Sequence, residues 1–405
     1  MNRTKPFFMT SVSALACVLA ACSSSSKPVA AASTTTAAVT TQPTITPPTS
    51  TTSSSTTTST APPPPAETRY STPGQFDVGT MSFKLPSGTV VDVWFPAVKG
   101  SGTKKATYDM RSFLPPSEAV KVPDADAKLF VENAFSDAKP LDDGTKFPLV
   151  LFSHGFAGFR DQSTFLTTHL ASWGFVVMSP EHTSRDLAAV MSPPATPPQP
   201  DTADLLEILE HADAAAEVKG VLAIVDTAKV AAVGHSAGGG ASAKIAKDPR
   251  IATYVAMAAG AAATDDAGAS LTKPALFVAG SSDVIAKLES VQKAYDAYAG
   301  PKHLVVIDGV THLGFMDVCT LSTAKGSTLD IAVADGVVIE PIITRLFADG
   351  CDKKYTAATD AWPVINQVVT AHLKSVFGDP EAAAGLDAKL SGAFGSVKVT
   401  VTSKA

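Results

Sequence analysis

What this chain has little of narrows its chemistry before any motif is read. Only 17 % of its 405 residues are charged and the formal net charge is −6. There is no basic surplus to attract nucleic acid, or anionic lipid by electrostatics alone. Its eight histidines show no H-E-x-x-H or comparable clustering, which argues against a metal centre. Neither G-x-G-x-x-G nor a P-loop lysine followed by Ser or Thr is present, which argues against a nucleotide site. Internal repeats are absent, and cysteine is scarce, at four residues.

What is there begins with an export signal. Arg3 and Lys5 precede "FFMTSVSALACVLAA", Phe7 to Ala21, a run too short to span a bilayer comfortably and of the right length for a signal h-region. It ends in Leu19, Ala20, Ala21 and Cys22, a tetrad that resembles the lipobox of bacterial lipoproteins. That resemblance implies a signal peptide over 1–21, acylation of Cys22, and a chain lipid-anchored to the extracytoplasmic face of the cell envelope. An ordinary secretory peptide or a buried helix is the alternative. Ser23 to Ala66 is almost wholly Ser, Thr, Pro and Ala, with Lys27 as its one charge, too poor in apolar surface to fold. The expectation for 22–66 is a tether, bare or O-glycosylated, reaching on the order of 35 Å. Cys17 leaves with the signal and Cys22 takes lipid, so Cys319 and Cys351 are left outside the cytoplasm and are expected to form a disulfide; two free buried thiols are the alternative.

Residues 67–405 read as one large α/β domain. Short apolar runs at Val90, Phe147, Gly174, Lys229, Thr253, Pro274 and His303 look like strands buried on both faces, with helix-like runs between most of them. The alternation predicts a doubly wound, mostly parallel sheet with helices on both faces. Phe76 to Leu85 and Val90 to Phe95, joined by "PSG", read as an antiparallel hairpin at the edge of that sheet. Ala106 to Lys146, Ser192 to Pro200, and the cysteine-bounded insertion 319–351 read as surface excursions, candidates for a cap or rim.

Chemistry enters with "VAAVGHSAGGG". Its Gly234-His235-Ser236-Ala237-Gly238 is a G-x-S-x-G between a predicted strand and a predicted helix, the context of a nucleophile elbow. A glycine turn with a helix-capping serine is the bland alternative. A serine nucleophile needs a base after a later strand. His169, His211 and His372 fall on predicted helices, His154 and His235 in tight glycine turns, His303 opens a strand, and His182 precedes the serine. His312, in "VIDGVTHLGF", follows the last strand and is the candidate base. Asp283 ends an apolar strand between Ser236 and His312 and is the candidate orienting carboxylate, with Asp308 as a rival. An oxyanion hole would use the amides of Ala237 and of Phe156, which follows the strand ending in His154-Gly155.

The runs "FSHGFAGFRDQSTFLTTHLASWGFVVMSPEH", "GHSAGG", "AGSSDVI" and "DGVTHLGF", in that order, resemble the α/β-hydrolase superfamily, on the branch of bacterial platelet-activating-factor acetylhydrolase homologues and cutinase-like polyester hydrolases. The resemblance covers about Gln75 to Phe377. It implies an α/β-hydrolase fold and a serine esterase working through an acyl-enzyme, with no metal and no cofactor; the partner expected is a small-molecule or lipid ester, and the state expected is a monomer. It also implies Ser236 as nucleophile, His312 as base, Asp283 as its orienter, and the Phe156 and Ala237 amides as oxyanion hole.

Two departures limit it. Polyester-degrading relatives usually carry methionine where Ala237 stands, and the 319–351 insertion is longer than that branch usually has. Glu181 and His182 are kept as candidate substrate contacts. Acyl transfer or amide cleavage by the same triad, and a non-catalytic binding lipoprotein, are the competing functional readings.

Overall fold

The computed structural model describes residues 65–404 apart from residues 213, 214, 216, 261–270 and 349. The expected signal, Cys22 and nearly all of the tether lie outside the described residues.

Among the described residues, eleven strands form one sheet: β1 (Asp77–Lys84), β2 (Val90–Ala97), β3 (Lys105–Asp109), β4 (Leu129–Phe135), β5 (Phe147–Ser153), β6 (Val176–Pro180), β7 (Val225–His235), β8 (Ile251–Met257), β9 (Ala275–Gly280), β10 (Lys302–Ile307) and β11 (Val399–Lys404). Their order is β11-β10-β9-β8-β7-β5-β6-β2-β1-β4-β3. The six strands from β10 to β6 are mutually parallel. Side chains alternate across them: Val230 and Ala232 of β7 enter one apolar core while Ala231 and Val233 enter the other. Helices α1 (Thr164–Ser172), α2 (Leu187–Met191), α3 (Asp201–His211), α4 (Ala237–Ile245), α5 (Leu288–Ala297), α6 (Thr328–Ala334), α7 (Pro341–Ala348) and α8 (Ala358–Val376) join the strands. The first core takes residues of α3, α4 and α5, and the second takes residues of α1 and α8. Both faces of the sheet are thus covered, which is why its strands read as unbroken apolar runs.

The chain leaves β5 toward β6 on one side and returns to β7 on the other, so the strand order reverses between β5 and β7. In open parallel sheets, ligand sites sit at the carboxyl ends of the strands flanking such a reversal. Ser153 at the end of β5 pairs in register with Gly234 near the end of β7, so the two following loops emerge side by side.

Two sequence readings change. The β1–β2 hairpin is not at the sheet's edge, because β2 pairs antiparallel with β6 and β1 carries β4 and then β3 beyond it. Those outer strands come from Ala106 to Lys146, read as an excursion. In β3 only alternate side chains are buried, and the exposed positions make the segment look polar throughout. The C-terminal β11, "VTVTSK", pairs antiparallel with β10 along its whole length and was not anticipated.

Candidate active site

Ser236 stands between β7 and α4 with φ +56° and ψ −122°, outside the regions where L-residues rest comfortably. The turn is tight enough to admit only glycine on either side. A Cβ on Gly234 would lie 2.1 Å from the carbonyl oxygen of Gly238, and one on Gly238 would lie 1.9 Å from that of Ser153. The strain is held by hydrogen bonds, since Ser236 N donates to Met257 O (2.8 Å) and Gly239 N donates to Ser236 O (2.9 Å).

His312 opens a short 3-10 turn, His312–Phe315, after β10, and its Nε2 lies 2.9 Å from Ser236 Oγ. Its Nδ1 lies 2.9 Å from Asp283 Oδ2, just beyond β9. Asp283 Oδ1 accepts from Ile285 N (2.8 Å) and Ala286 N (2.6 Å), which fixes the carboxylate plane. The network assigns the proton on Nδ1, leaving the Nε2 lone pair for the serine hydroxyl. His312 and Asp283 are buried, at 2 % and 4 % exposure. Asp308, the rival carboxylate, is exposed and accepts from Ser281 Oγ (2.9 Å), while His312 Nδ1 lies against Asp283.

Phe156 sits in the turn after β5, and Ala237 is the first residue of α4. Neither amide donates to a group among the described residues. A Cβ added to Gly155 would come within 3.3 Å of Ser236 Cβ, so this turn lies directly against the elbow. The α4 N-terminus adds its partial positive charge behind the serine.

Glu181 and His182 do not face a cleft. Their retention as substrate contacts is overturned by burial, at 9 % and 0 % exposure, and by their partners. His182 Nδ1 lies 2.8 Å from Asp204 Oδ2, and Glu181 Oε2 accepts from Arg160 Nη1 (2.8 Å). Burial pushes the Glu181 carboxyl up to about 7.

Sequence reasoning missed the groups that tie these loops together. Gln162 Oε1 accepts from Gly155 N (2.9 Å), Gln162 Nε2 donates to His235 Nδ1 (3.1 Å), and His235 Nε2 in turn donates to the backbone oxygen of His312 (3.2 Å). One glutamine therefore links the β5 turn, the elbow and the base loop. Asp317 accepts from Thr164 N (2.7 Å), Thr164 Oγ1 (2.6 Å) and Phe165 N (3.2 Å), pinning the base loop to the start of α1. Their signal in the sequence is only proximity to the motifs, at "RDQST" and "FMDVC".

Cys319 and Cys351 are joined by a disulfide with a Cα–Cα distance of 5.2 Å. It closes the insertion close to the base loop, where Thr311 Oγ1 donates to Gly350 O (2.9 Å). Ile343 and Phe347 of α7 share an apolar cluster with Leu313 and Met316. Between this insertion, α2 and the 110–128 segment lies an apolar cavity of about 80 Å³, lined by Met110, Leu114, Leu187, Ile331, Ile343 and Phe347 but by none of Ser236, Asp283 and His312. Among the described residues there is no grouping of three or more His, Cys, Asp or Glu that could hold a metal ion. No helix among them is long and apolar enough to cross a membrane.

Residues 138–325 match the family model described as PETase, PET hydrolase-like. Platelet-activating factor acetylhydrolase of Canis lupus familiaris is 25 % identical, over 46 % of this chain and 51 % of its own length. The same-named protein of Cavia porcellus is 44 % identical over 50 residues, 12 % of each chain. The chain thus spans about half the length of the dog relative. Among solved structures, a ferulic acid esterase from Streptomyces cinnamoneus superposes with a TM-score of 0.53 at 19 % identity, covering 75 % of this chain and 92 % of the other. With the sheet order and the strand-turn-helix at Ser236, the structural match gives the chain an α/β-hydrolase fold, and in sequence it is similar to the PET hydrolase-like family and to platelet-activating factor acetylhydrolases.

Proposed function

We propose that the chain is a serine hydrolase of carboxylic esters that works through a covalent acyl-enzyme. The observation that carries this reading is the pair of 2.9 Å contacts joining Ser236 to His312 and His312 to Asp283, with the serine on a strained strand-helix turn. His312 Nε2 takes the hydroxyl proton as Ser236 Oγ attacks the ester carbonyl, and Asp283 stabilises the resulting imidazolium. The amides of Phe156 and Ala237 receive the negative charge on the carbonyl oxygen. Collapse expels the alcohol, which takes the proton from His312, and water then releases the acid by the same steps in reverse.

The substrate class is a short or medium acyl ester, lipid-like in its alcohol part; the acetylhydrolase match supports that choice. Ala237 at the position of the methionine usual in polyester-degrading relatives is the reason polymers are not included. The site of action is the extracytoplasmic face of the cell envelope, with Cys22 acylated and 22–66 as tether.

Fluorophosphonate labelling followed by peptide mapping tests the chemistry. Ser236 is modified in the folded protein, and Ser236→Ala abolishes p-nitrophenyl acetate turnover; an unmodified Ser236 or intact turnover in the variant overturns the reading. Radiolabelled palmitate incorporation that is lost in Cys22→Ser tests the anchor, and equal incorporation in both proteins overturns it.

A further inference from the structure

Twenty-nine residues after Ser153 stands His182, and twenty-two further on, Asp204. Ser153 Oγ lies 2.9 Å from His182 Nε2, and His182 Nδ1 lies 2.8 Å from Asp204 Oδ2. This is a second Ser-His-Asp chain. All three residues are 0 % exposed, so no substrate reaches it. Ser153 Oγ also accepts from Arg185 Nη2 (2.8 Å), and hydrogen-bond polarity then runs one way: Arg185 donates to Ser153, Ser153 to His182, and His182 to Asp204.

The head of that chain touches the β5 turn. Arg185 Nη1 donates to the carbonyl oxygens of His154 and of Gly155 (2.8 Å for the latter), while Arg185 Nε donates to Asp201 Oδ2 (2.9 Å). The carbonyl of Arg185 accepts from Ala157 N (2.8 Å), and His154 Nε2 accepts from His182 N (3.0 Å). His154 Nδ1 then carries its proton and donates to Gly155 O (2.9 Å), which also accepts from Gly158 N (3.1 Å).

Gly155 O therefore has three donors, one of them charged, and it belongs to the same peptide unit as the Phe156 N–H. In a planar trans peptide the carbonyl and the N–H point in opposite directions, so holding the oxygen fixes where the N–H is aimed. A guanidinium on the oxygen also polarises the unit and strengthens the N–H as a donor.

We propose that Arg185, kept in place by the buried Ser153–His182–Asp204 chain and by Asp201, is a positioning residue that aims and strengthens the Phe156 amide of the oxyanion hole. This rests on the esterase reading given above. Arg185 touches no substrate; it acts through the Gly155–Phe156 peptide, so its removal weakens transition-state binding more than substrate binding.

The test compares wild type with Arg185→Lys, which keeps a cation but loses the fork, and with Ser153→Ala, which removes the support behind it. Three quantities are read: kcat and KM on a p-nitrophenyl ester, affinity for a trifluoromethyl ketone analogue of the tetrahedral intermediate, and the 1H shift of the Phe156 amide. Removing an oxyanion donor outright costs 10²–10³-fold, so misaiming one is expected to lower kcat by about 10- to 100-fold in Arg185→Lys and about 10-fold in Ser153→Ala. KM stays nearly constant, ketone affinity falls by the same factor as kcat/KM, and the amide proton moves upfield. A folded variant whose kcat stays within about threefold of wild type, or whose ketone affinity does not follow kcat/KM, overturns the proposal. If Arg185→Lys does not fold, Ser153→Ala decides by the same criteria. If wild type neither reacts with fluorophosphonate nor turns over ester, the esterase reading fails on its own, and an unchanged Phe156 shift in the variants overturns the positioning claim separately.

Discussion

Two Ser-His-Asp chains lie on either side of the β5–β7 boundary with nearly identical dimensions, 2.9 and 2.9 Å in Ser236–His312–Asp283 against 2.9 and 2.8 Å in Ser153–His182–Asp204. What separates them is the backbone and the access. Ser236 is held at φ +56° beyond the end of its strand and is partly exposed, whereas Ser153 is the last residue of β5 and wholly enclosed. In the buried chain the serine's remaining capacity goes to an arginine; in the other the serine is partly exposed, and the Phe156 and Ala237 amides near it donate to no group among the described residues. The same triad of side chains is thus partly open to solvent in one place and sealed inside the fold in the other. Distances between the three residues do not distinguish these roles.

The sharpest way to break the comparison is to remove each serine. Ser236→Ala is expected to cost about 10⁵-fold or more in kcat/KM on p-nitrophenyl acetate, far beyond the roughly tenfold expected of Ser153→Ala. Fluorophosphonate should modify the first serine and leave the second untouched.

Exchanging each carboxylate for its amide comes next. Asp283→Asn is expected to lower kcat about 10⁴-fold with little change in melting temperature, because it presents the wrong tautomer to His312. Asp204→Asn is expected to act mainly on stability, by about 1–3 kcal/mol, because Thr89 Oγ1 and Gln199 Nε2 also donate to that buried group. Calorimetry beside steady-state kinetics reads both, and an Asp204→Asn variant as slow as Asp283→Asn would erase the distinction.

A smaller effect concerns how the two histidines are held. The loop of His312 is tied down by the Cys319–Cys351 bridge, while His182 is enclosed by packed structure. Cys319→Ser with Cys351→Ser removes a loop constraint worth ~3 kcal/mol in the chain-entropy picture. A fall in melting temperature is therefore expected, together with a lower kcat. Full activity at an unchanged melting temperature would show that the bridge supports neither.

The smallest effect is in pH. Burial holds the His182 imidazole well below its ordinary range, so it is neutral when folded but takes a proton near pH 6.5 when unfolded. Its stabilising contribution is complete above that pH and is lost as pH falls through it. His182→Gln removes one proton from that balance. The stability gap between wild type and variant should therefore narrow from pH 7 to pH 5, by about 1.4 kcal/mol per pH unit below 6.5. A gap that is constant with pH would mean His182 titrates alike in both states.

Much of the architecture was legible because parallel strands buried on both faces leave short apolar runs, and α/β alternation leaves few ways to arrange them. Strands half exposed at the edge were not. Lys105 to Asp109 and Val399 to Lys404 carry only a period-two pattern among polar residues, and the first lies inside a proline-punctuated stretch. The candidate site was legible where steric need shows up as a local motif, as at Gly234 and Gly238, and where chain order restricts the partners, as with Asp283 and His312. Gln162, Asp317 and Arg185 have no such mark. Glu181 and His182 were read as cleft residues because a loop after a strand end usually faces a site, and here it folds inward beneath the β5 turn instead.

By itself, then, the sequence determined a doubly wound sheet, a serine on a strained turn, and the order in which its partners follow, because periodicity, glycine sterics and chain order are local or one-dimensional properties. Only the tertiary structure decided which of two Ser-His-Asp sets has a partly exposed serine and which groups hold the Gly155–Phe156 peptide. Burial and hydrogen-bond direction arise between residues tens of positions apart, and no spacing along the chain encodes them.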